Sequence, residues 1–380
     1  MRVMISCGEP SGDLYAASLA AELLRIDPAI RIAGFGGERL RQAGAQLVGD
    51  FSGLSVTGLV EVARLLPKTY ATYRRLVADA RANRPDVFVA VDFPDFNFRL
   101  AHAVRQMGVP VVYYISPQLW AWRPGRMKTM KRIADRVLVI FPFEEEIYRQ
   151  AGVPVEWVGH PLLDRPWPSR SHREWRIQIG VRPEIPTVAL LPGSRANEVR
   201  EILPPLADAA NLIRARLGEV QFVIARAPHL GDGLFEPALR LNGARLVEGM
   251  TDEVLACADV ALLASGTVTV QAALHQCPMV VVYRLSPLTY RLGKPFVRVD
   301  SYAMANLVAQ RRVVPELIQD AFTPDAVAHE AIDLLTNEAR ASRMRDDLRE
   351  VRHRLGDPGA SRRAAAAVMN IIRARGKCVR

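Results

Sequence analysis

Short apolar runs recur along the chain. Each is followed by a polar loop rich in glycine or proline, and then by a stretch with helical spacing. Val3–Cys7, Arg31–Phe35, Val87–Val91, Val111–Ile115 and Val137–Ile140 read as strands, and Leu14–Arg25 as the first intervening helix. Near-continuous apolar strands alternating with helices predict a parallel sheet covered on both faces. Around Gly159-His160-Pro161 the texture changes, and Pro161, Pro166, Pro168, Pro183 and Pro186 form a connection. Alternation then restarts with Thr187–Leu191, Val220–Ala225, Arg245–Glu248, Val260–Ala264 and Met279–Tyr283. The prediction is α/β, with two Rossmann-like doubly wound domains over 1–165 and 166–345. A charged helical tail over 346–380 is expected to pack back on the first domain.

Composition adds limits. A length of 380 residues suits two cores rather than one. The formal charge of +10 fits nucleic acid, an anionic membrane or phosphorylated small molecules as partners. Basic tracts at Arg123–Arg132, Arg284–Arg298 and Arg362–Arg380 carry much of the excess, though each also reads as a solvated helix face. Cys7, Cys257, Cys277 and Cys378 are far apart and form no C-x-x-C pair, which argues against a zinc ribbon or a disulfide framework. The start of the chain lacks a long apolar segment, and no run of about 18 uncharged apolar residues occurs, so a soluble or surface-attached protein is expected. No RNA-binding module or regular aromatic-basic array is evident, so no nucleic-acid partner is expected.

The richest chemistry lies at predicted strand ends, where ligands sit in such sheets. Leu191 runs into Pro192-Gly193-Ser194-Arg195, with an early acid, Glu198, in the helix that follows. A helix start offers backbone N–H groups to a phosphate, Gly193 permits close approach, Ser194 adds a hydroxyl and Arg195 a forked cation. An ordinary turn with a surface arginine is the alternative. The loop is neither a P-loop nor a G-x-G-x-x-G fingerprint. Ser265-Gly266-Thr267 makes a second small-residue loop before a helix, and the two loops together suit one diphosphate; two plain N-caps are the alternative. In the first half, Gly8-Glu9-Pro10-Ser11-Gly12-Asp13 places carboxylates where sugar hydroxyls could bind, although Asp13 also reads as a helix cap. Asp92, between apolar runs, is the candidate base, and Asp95 reads as the N-cap of the next helix. A metal site on these two acids is the rival reading, with no histidine or third acid nearby in sequence. Trp120 and Trp122 could stack on sugars, cover lipid chains or plug a core. His160 is a hinge residue or a ligand contact. Leu59, Val62, Ala63 and Leu66 recur at i, i+3, i+4 and i+7, a helical face that either packs in a core or dips into a membrane surface.

Taken in order, these segments resemble the lipid-A-disaccharide synthase family. The likeness covers nearly the whole chain. It runs through Gly8–Asp13, Pro85–Val89, Asp92–Asn97, Ser116-Pro117 with Trp120-Ala121-Trp122, Phe141–Glu144, Gly159-His160-Pro161, Leu190–Arg195 with Glu198, Ala264–Thr267 and Cys277–Val281. The resemblance implies a GT-B glycosyltransferase of family 19, with two domains flanking a cleft. It implies transfer from UDP-2,3-diacylglucosamine to 2,3-diacylglucosamine 1-phosphate with inversion, giving a β-1,6-linked disaccharide 1-phosphate and UDP. No metal or other cofactor is implied. The site of action is the cytoplasmic face of the inner membrane, and a homodimer is compatible with the resemblance. By this likeness Asp92 is the base and Arg195 stabilises departing UDP. Gly193, Ser194, Ser265, Gly266, Thr267 and Gln271 hold the donor. Glu9, Ser11, Asp13, Asn306 and His160 line the acceptor side or the cleft. The membrane face carries Leu59, Val60, Val62 and Leu66. Two departures stand out. Val270-Gln271 replaces the usual Leu-Glu, putting an uncharged amide where a glutamate binds ribose hydroxyls, and Ala303-Met304-Ala305 replaces a Leu-Pro approach to Asn306.

Overall fold

The apolar runs become strands in the computed structural model, which describes residues 1–51, 59–122, 124–165, 170–228, 230–239, 241–285 and 301–378. Side chains at 59–65, 122, 124, 239 and 376–378 lie outside the described residues. The chain divides into two compact units, residues 1–165 with 355–380, and residues 166–354.

Among the described residues, the first unit carries a seven-stranded sheet in the order β3-β2-β1-β4-β5-β6-β7. Its strands are β1 (Arg2–Cys7), β2 (Arg31–Gly36), β3 (Gln46–Asp50), β4 (Val87–Val91), β5 (Val111–Tyr114), β6 (Arg136–Val139) and β7 (Val155–Trp157). Every pairing is parallel. β4 and β5 are buried along their whole length, as strands covered by helices on both faces must be. The order reverses between β1 and β4, where Cys7 lies opposite Val91. Such a switch point opens a crevice at the carboxyl ends of the two strands.

The second unit repeats the plan in a six-stranded parallel sheet, β10-β9-β8-β11-β12-β13. Its strands are β8 (Thr187–Leu191), β9 (Gln221–Arg226), β10 (Arg245–Glu248), β11 (Val260–Ala264), β12 (Met279–Tyr283) and β13 (Glu316–Ile318). Here the switch falls between β8 and β11, with Leu191 opposite Leu263.

The chain re-enters the first unit at Leu355, nine residues later than the boundary expected from sequence. The helix Glu338–Arg354 belongs to the second unit because Met344, Leu348 and Val351 are buried there. The last helix, Ala360–Cys378, packs on the helix Pro10–Ile26. Its start is fixed by Asp164, which accepts from the backbone N–H groups of Gly359, Ala360 and Ser361 at 2.5, 3.0 and 2.7 Å. A carboxylate on the open N–H groups of a helix start contributes about 1 kcal/mol.

Candidate active site

Two loop clusters stand at the two switch points. In the first unit, β4 ends at Val91, and the next two residues adopt left-handed backbone, with φ of 45° at Asp92 and 51° at Phe93. Such a conformation costs a non-glycine residue about 1–2 kcal/mol. It is held from three sides. The Asp92 carbonyl accepts from Tyr113 Oη at 2.8 Å and from Asn97 Nδ2 at 2.8 Å, and the Asp92 N–H donates to the carbonyls of Tyr114 and Ile115, each at 3.2 Å. Asn97, fully buried, also donates to the carbonyls of Ser6 and Val91 and accepts from Ser6 Oγ at 2.6 Å. Gly8 completes the arrangement: a Cβ there would come within 2.3 Å of the Phe93 ring. The Asp92 side chain stays half-exposed at the strand end.

A polar cluster surrounds this turn. Tyr113 is buried, and burial with the Asp92 charge pushes its phenol well up. Ser116 and Tyr148 share a short hydrogen bond between their hydroxyls. Trp120 Nε1 donates to Glu144 Oε1 at 3.2 Å, and its indole meets Phe143 edge to face at 5.2 Å. Glu144 is buried, and burial pushes its carboxyl up to about 8; the bonds from Trp120 and the Phe141 N–H pull against this, and the Asp92 charge adds to it. Glu144 and Asn97 are legible in sequence only as motif members. The capping pattern at Phe141–Glu144, with Pro142 at the first helical position, is the signal that could have placed Glu144.

Several expected site residues are turned inward. Asp13 is 4% exposed, and its carboxylate accepts from the N–H groups of Gly37, Arg39 and Leu40 at 2.7, 3.0 and 3.3 Å. It therefore caps the helix Glu38–Gln42 from within rather than facing a sugar. His160 is buried between Tyr15 and Phe141, and its Nδ1 accepts from the Leu162 N–H at 3.2 Å. Burial lowers it to about 3, so it is a neutral internal cap. Asp95 is no N-cap: Phe93 holds that position, and Asp95, in the first turn, pairs with Arg126 at 2.6 Å. Glu9 and Ser11 remain half-exposed at the end of β1.

In the second unit the loop after β8 is braced by its own helix. Glu198 Oε2 accepts from the N–H groups of Ser194 and Arg195 at 3.0 and 3.2 Å, and Oε1 pairs with Arg195 Nη1 at 3.1 Å. Two amides expected to face a phosphate thus face Glu198, which also orients the guanidinium. Gly193 has φ of 123°, and a Cβ on it would lie 2.6 Å from Glu198 Oε2. Beside it, Gly266 has φ of 152° with open space where a Cβ would stand, and Gly266 and Thr267 are exposed. Ser265 Oγ donates to the Tyr302 carbonyl at 2.8 Å. Gln271 Nε2 donates to Asp252 Oδ1 at 3.2 Å, and the same oxygen meets His275 Nε2 at 3.1 Å. A carboxylate therefore stands next to Gln271 although it comes from another helix.

Asn306 does not reach into a site. It is buried, accepts from the N–H groups of Val313 and Val314 at 2.7 and 2.9 Å, and donates to the Val314 carbonyl and Glu316 at 3.0 and 2.7 Å. It braces the turn into β13. Leu59, Val60 and Val62 lie in the helix Leu59–Ala82, but their side chains fall outside the described residues; Leu66, further along, is 57% exposed.

Residues 3–371 match the family model for lipid-A-disaccharide synthetase. The chain belongs to the lipid-A-disaccharide synthase family. It is 42% identical to the lipid-A-disaccharide synthase of Geobacter sulfurreducens, over 98% of this chain and 97% of that one. Its identity to the Geobacter metallireducens enzyme is 43%, with the same coverage. Among solved structures it is similar to the calicheamicin glycosyltransferase CalG4, with a TM-score of 0.62 and 18% identity over 98% of both chains. It is also similar to UDP-GlcNAc 2-epimerase from Neisseria meningitidis, with a TM-score of 0.69 and 12% identity over 97% of this chain and 100% of that one. The fold is thus GT-B and the chain is a glycosyltransferase of lipid A synthesis, acting on sugar-nucleotide and lipid-linked substrates. An epimerase activity is not favoured, since that likeness extends to the fold alone. No helix among the described residues is long and apolar enough to cross a membrane.

Proposed function

We propose that the chain joins UDP-2,3-diacylglucosamine to 2,3-diacylglucosamine 1-phosphate, with inversion and without a metal, at the cytoplasmic face of the inner membrane. The observation that carries the chemistry is the placement of Asp92 and Arg195, each just after a strand bordering its sheet's switch point. Asp92 takes the proton of the acceptor 6-hydroxyl. The oxygen bonds to the donor's anomeric carbon, and the bond from that carbon to the phosphate oxygen breaks, its electrons leaving on UDP. Arg195 meets the charge growing on UDP, with the Gly193-Ser194 and Ser265–Thr267 loops around the phosphates and Gln271 beside Asp252 toward the ribose. Preorganised donors aimed at a developing charge supply most of the acceleration expected for such a step. Glu9 and Ser11 lie toward the acceptor.

The membrane part of this reading is supported by the helix Leu59–Ala82, where Leu66 and Tyr70 are exposed beside the basic residues Lys68, Arg74 and Arg75. Apolar groups flanked by cations suit an anionic interface.

Product mass spectrometry on matched acylated substrates in EDTA tests the whole. A disaccharide 1-phosphate is expected, formed only with both substrates. Activity abolished by EDTA and restored by magnesium would overturn the metal-free step, and UDP release without acceptor would overturn the transfer.

A further inference from the structure

We propose that Glu144 is a positioning residue for this transfer: held inside the protein, it ties the Trp120 indole to the helix Pro142–Gln150 and so fixes the aromatic loop 116–122 at the strand ends where Asp92 stands. The inference rests on the transfer reaction proposed above. Its role is separate from that of Asp92 because Glu144 touches the loop rather than the reacting atoms.

The loop is bound to the Asp92 turn at its start and to Glu144 near its end. Ile115, just before it, accepts from the Asp92 N–H at 3.2 Å. Ser116 bonds to Tyr148, and Tyr148 Oη donates to the Pro117 carbonyl at 3.3 Å. Trp120 then reaches Glu144 at 3.2 Å. Trp120 is half-buried and meets Phe143 edge to face, so part of it remains open to solvent. Such a ring is suited to the apolar face of a sugar or to an acyl chain.

A carboxyl is the group this junction requires. Oε1 accepts from Trp120 while Oε2 accepts from the Phe141 N–H at 3.4 Å, and a carboxyl retains acceptor lone pairs on both oxygens even when one of them also carries the proton. A glutamine offers one acceptor and keeps one of the two bonds; an alanine keeps neither. Burying such a group without partners is costly, and the helix start could be capped more cheaply by an exposed serine. Among the described residues, the charged and titratable groups acting on Glu144 are Asp92 from the end of β4 and Tyr148 from its own helix, with Trp120 as the donor from the loop. His160, stacked on Phe141, stays neutral. Well below pH 8 Glu144 holds its proton and adds little charge beside Asp92. Above it, a second negative charge there would repel the anionic acceptor.

The test is steady-state kinetics on Glu144→Gln, Glu144→Ala and Trp120→Phe. The donor is UDP-2,3-diacylglucosamine and the acceptor is 2,3-diacylglucosamine 1-phosphate in mixed micelles, with melting curves and UDP affinity measured alongside. Trp120→Phe, which loses one hydrogen bond, is expected to raise the acceptor KM about five- to tenfold, and Glu144→Ala, which loses two, at least as much, with donor KM and UDP affinity unchanged. Glu144→Gln is expected to recover part of what Glu144→Ala loses. It should also abolish the fall in acceptor kcat/KM expected of wild type above pH 8. If Glu144→Ala fails to fold, the other two variants decide. A working wild type whose variants keep its acceptor KM and pH profile overturns the proposal alone. A wild type that makes no disaccharide overturns the underlying reading and the proposal with it.

Discussion

Asn97 donates its buried side-chain amide to the main-chain carbonyl of Asp92 at 2.8 Å, and by that bond holds the candidate base in left-handed backbone. Asn97→Ala removes this bond and those to Ser6 and Val91, leaving the Asp92 carbonyl with Tyr113 and taking the acceptor from the buried Ser6 hydroxyl. The expected cost is about 2–3 kcal/mol of stability, read as a lower melting temperature. Turnover should fall further than donor affinity, because the displaced group is Asp92 and the donor loops belong to the other unit. Asp92→Asn keeps the turn and removes the base, so it should lose about 10²–10⁴ in kcat with an unchanged melting temperature.

The loop after β8 predicts a different split. Gly193→Ala forces a strained φ and a clash with Glu198, so UDP affinity measured by calorimetry should fall about tenfold or more. Arg195→Ala should lose about 10²–10³ in kcat, the penalty for removing one preorganised donor from a growing charge. Arg195→Lys should recover little, since an ammonium cannot reproduce a forked guanidinium. Recovery to wild-type turnover by the lysine variant would remove the forked-cation argument.

Two buried groups make stability depend on pH in opposite directions. The folded Glu144 carboxyl sits near 8, above its ordinary range, so the folded state holds a proton that the unfolded state has released. Stability contributed by this site is therefore largest at acid pH and declines as pH rises toward 8. The slope is about 1.4 kcal/mol per pH unit at most. His160 is lowered to about 3, so the unfolded state takes up a proton below pH 6.5 that the folded state refuses. Its contribution is present above 6.5 and is lost as pH falls toward 3. Denaturation midpoints of Glu144→Gln against wild type should therefore diverge between pH 5 and 8, with the variant gaining. Parallel curves would contradict the buried, protonated carboxyl.

Membrane attachment is tested at exposed positions. Leu66→Asp together with Tyr70→Asp should leave melting unchanged and reduce co-sedimentation with anionic vesicles. Each exposed aromatic or leucine that enters the interface contributes about 1–3 kcal/mol, so a tenfold shift is the scale expected. Unchanged sedimentation would move the contact elsewhere on the surface.

The central strands were legible because their residues must be apolar on both faces. Thr187–Leu191, Val260–Ala264 and Met279–Tyr283 fall where the apolar runs place them, and Arg245–Glu248 was found although it is an edge strand. β3, β7 and β13 were not. All three are edge strands with half-exposed residues, so they carry no apolar run to find. The site residues divide in the same way. A loop that combines small residues with one cation reads directly as a place for an anion. A polar residue that braces a turn looks the same in sequence as one that binds a ligand, which is why Asp13, His160 and Asn306 read as site residues and proved to be internal ligands of backbone N–H groups.

By itself the sequence determined the repeated strand-helix plan, the basic balance and the family, since these reside in local periodicity and in the order of short motifs. Only the tertiary structure decided which strands are neighbours, and so brought the Asp92 turn beside the end of β1 and the Arg195 loop beside Ser265. It also decided which carboxyls, Asp13 and Glu144, are buried among backbone donors and which, Asp92, stays half-exposed. The reason is physical: burial and hydrogen bonding are set by groups far apart in the chain, and a side chain's role follows from the partners that folding brings to it.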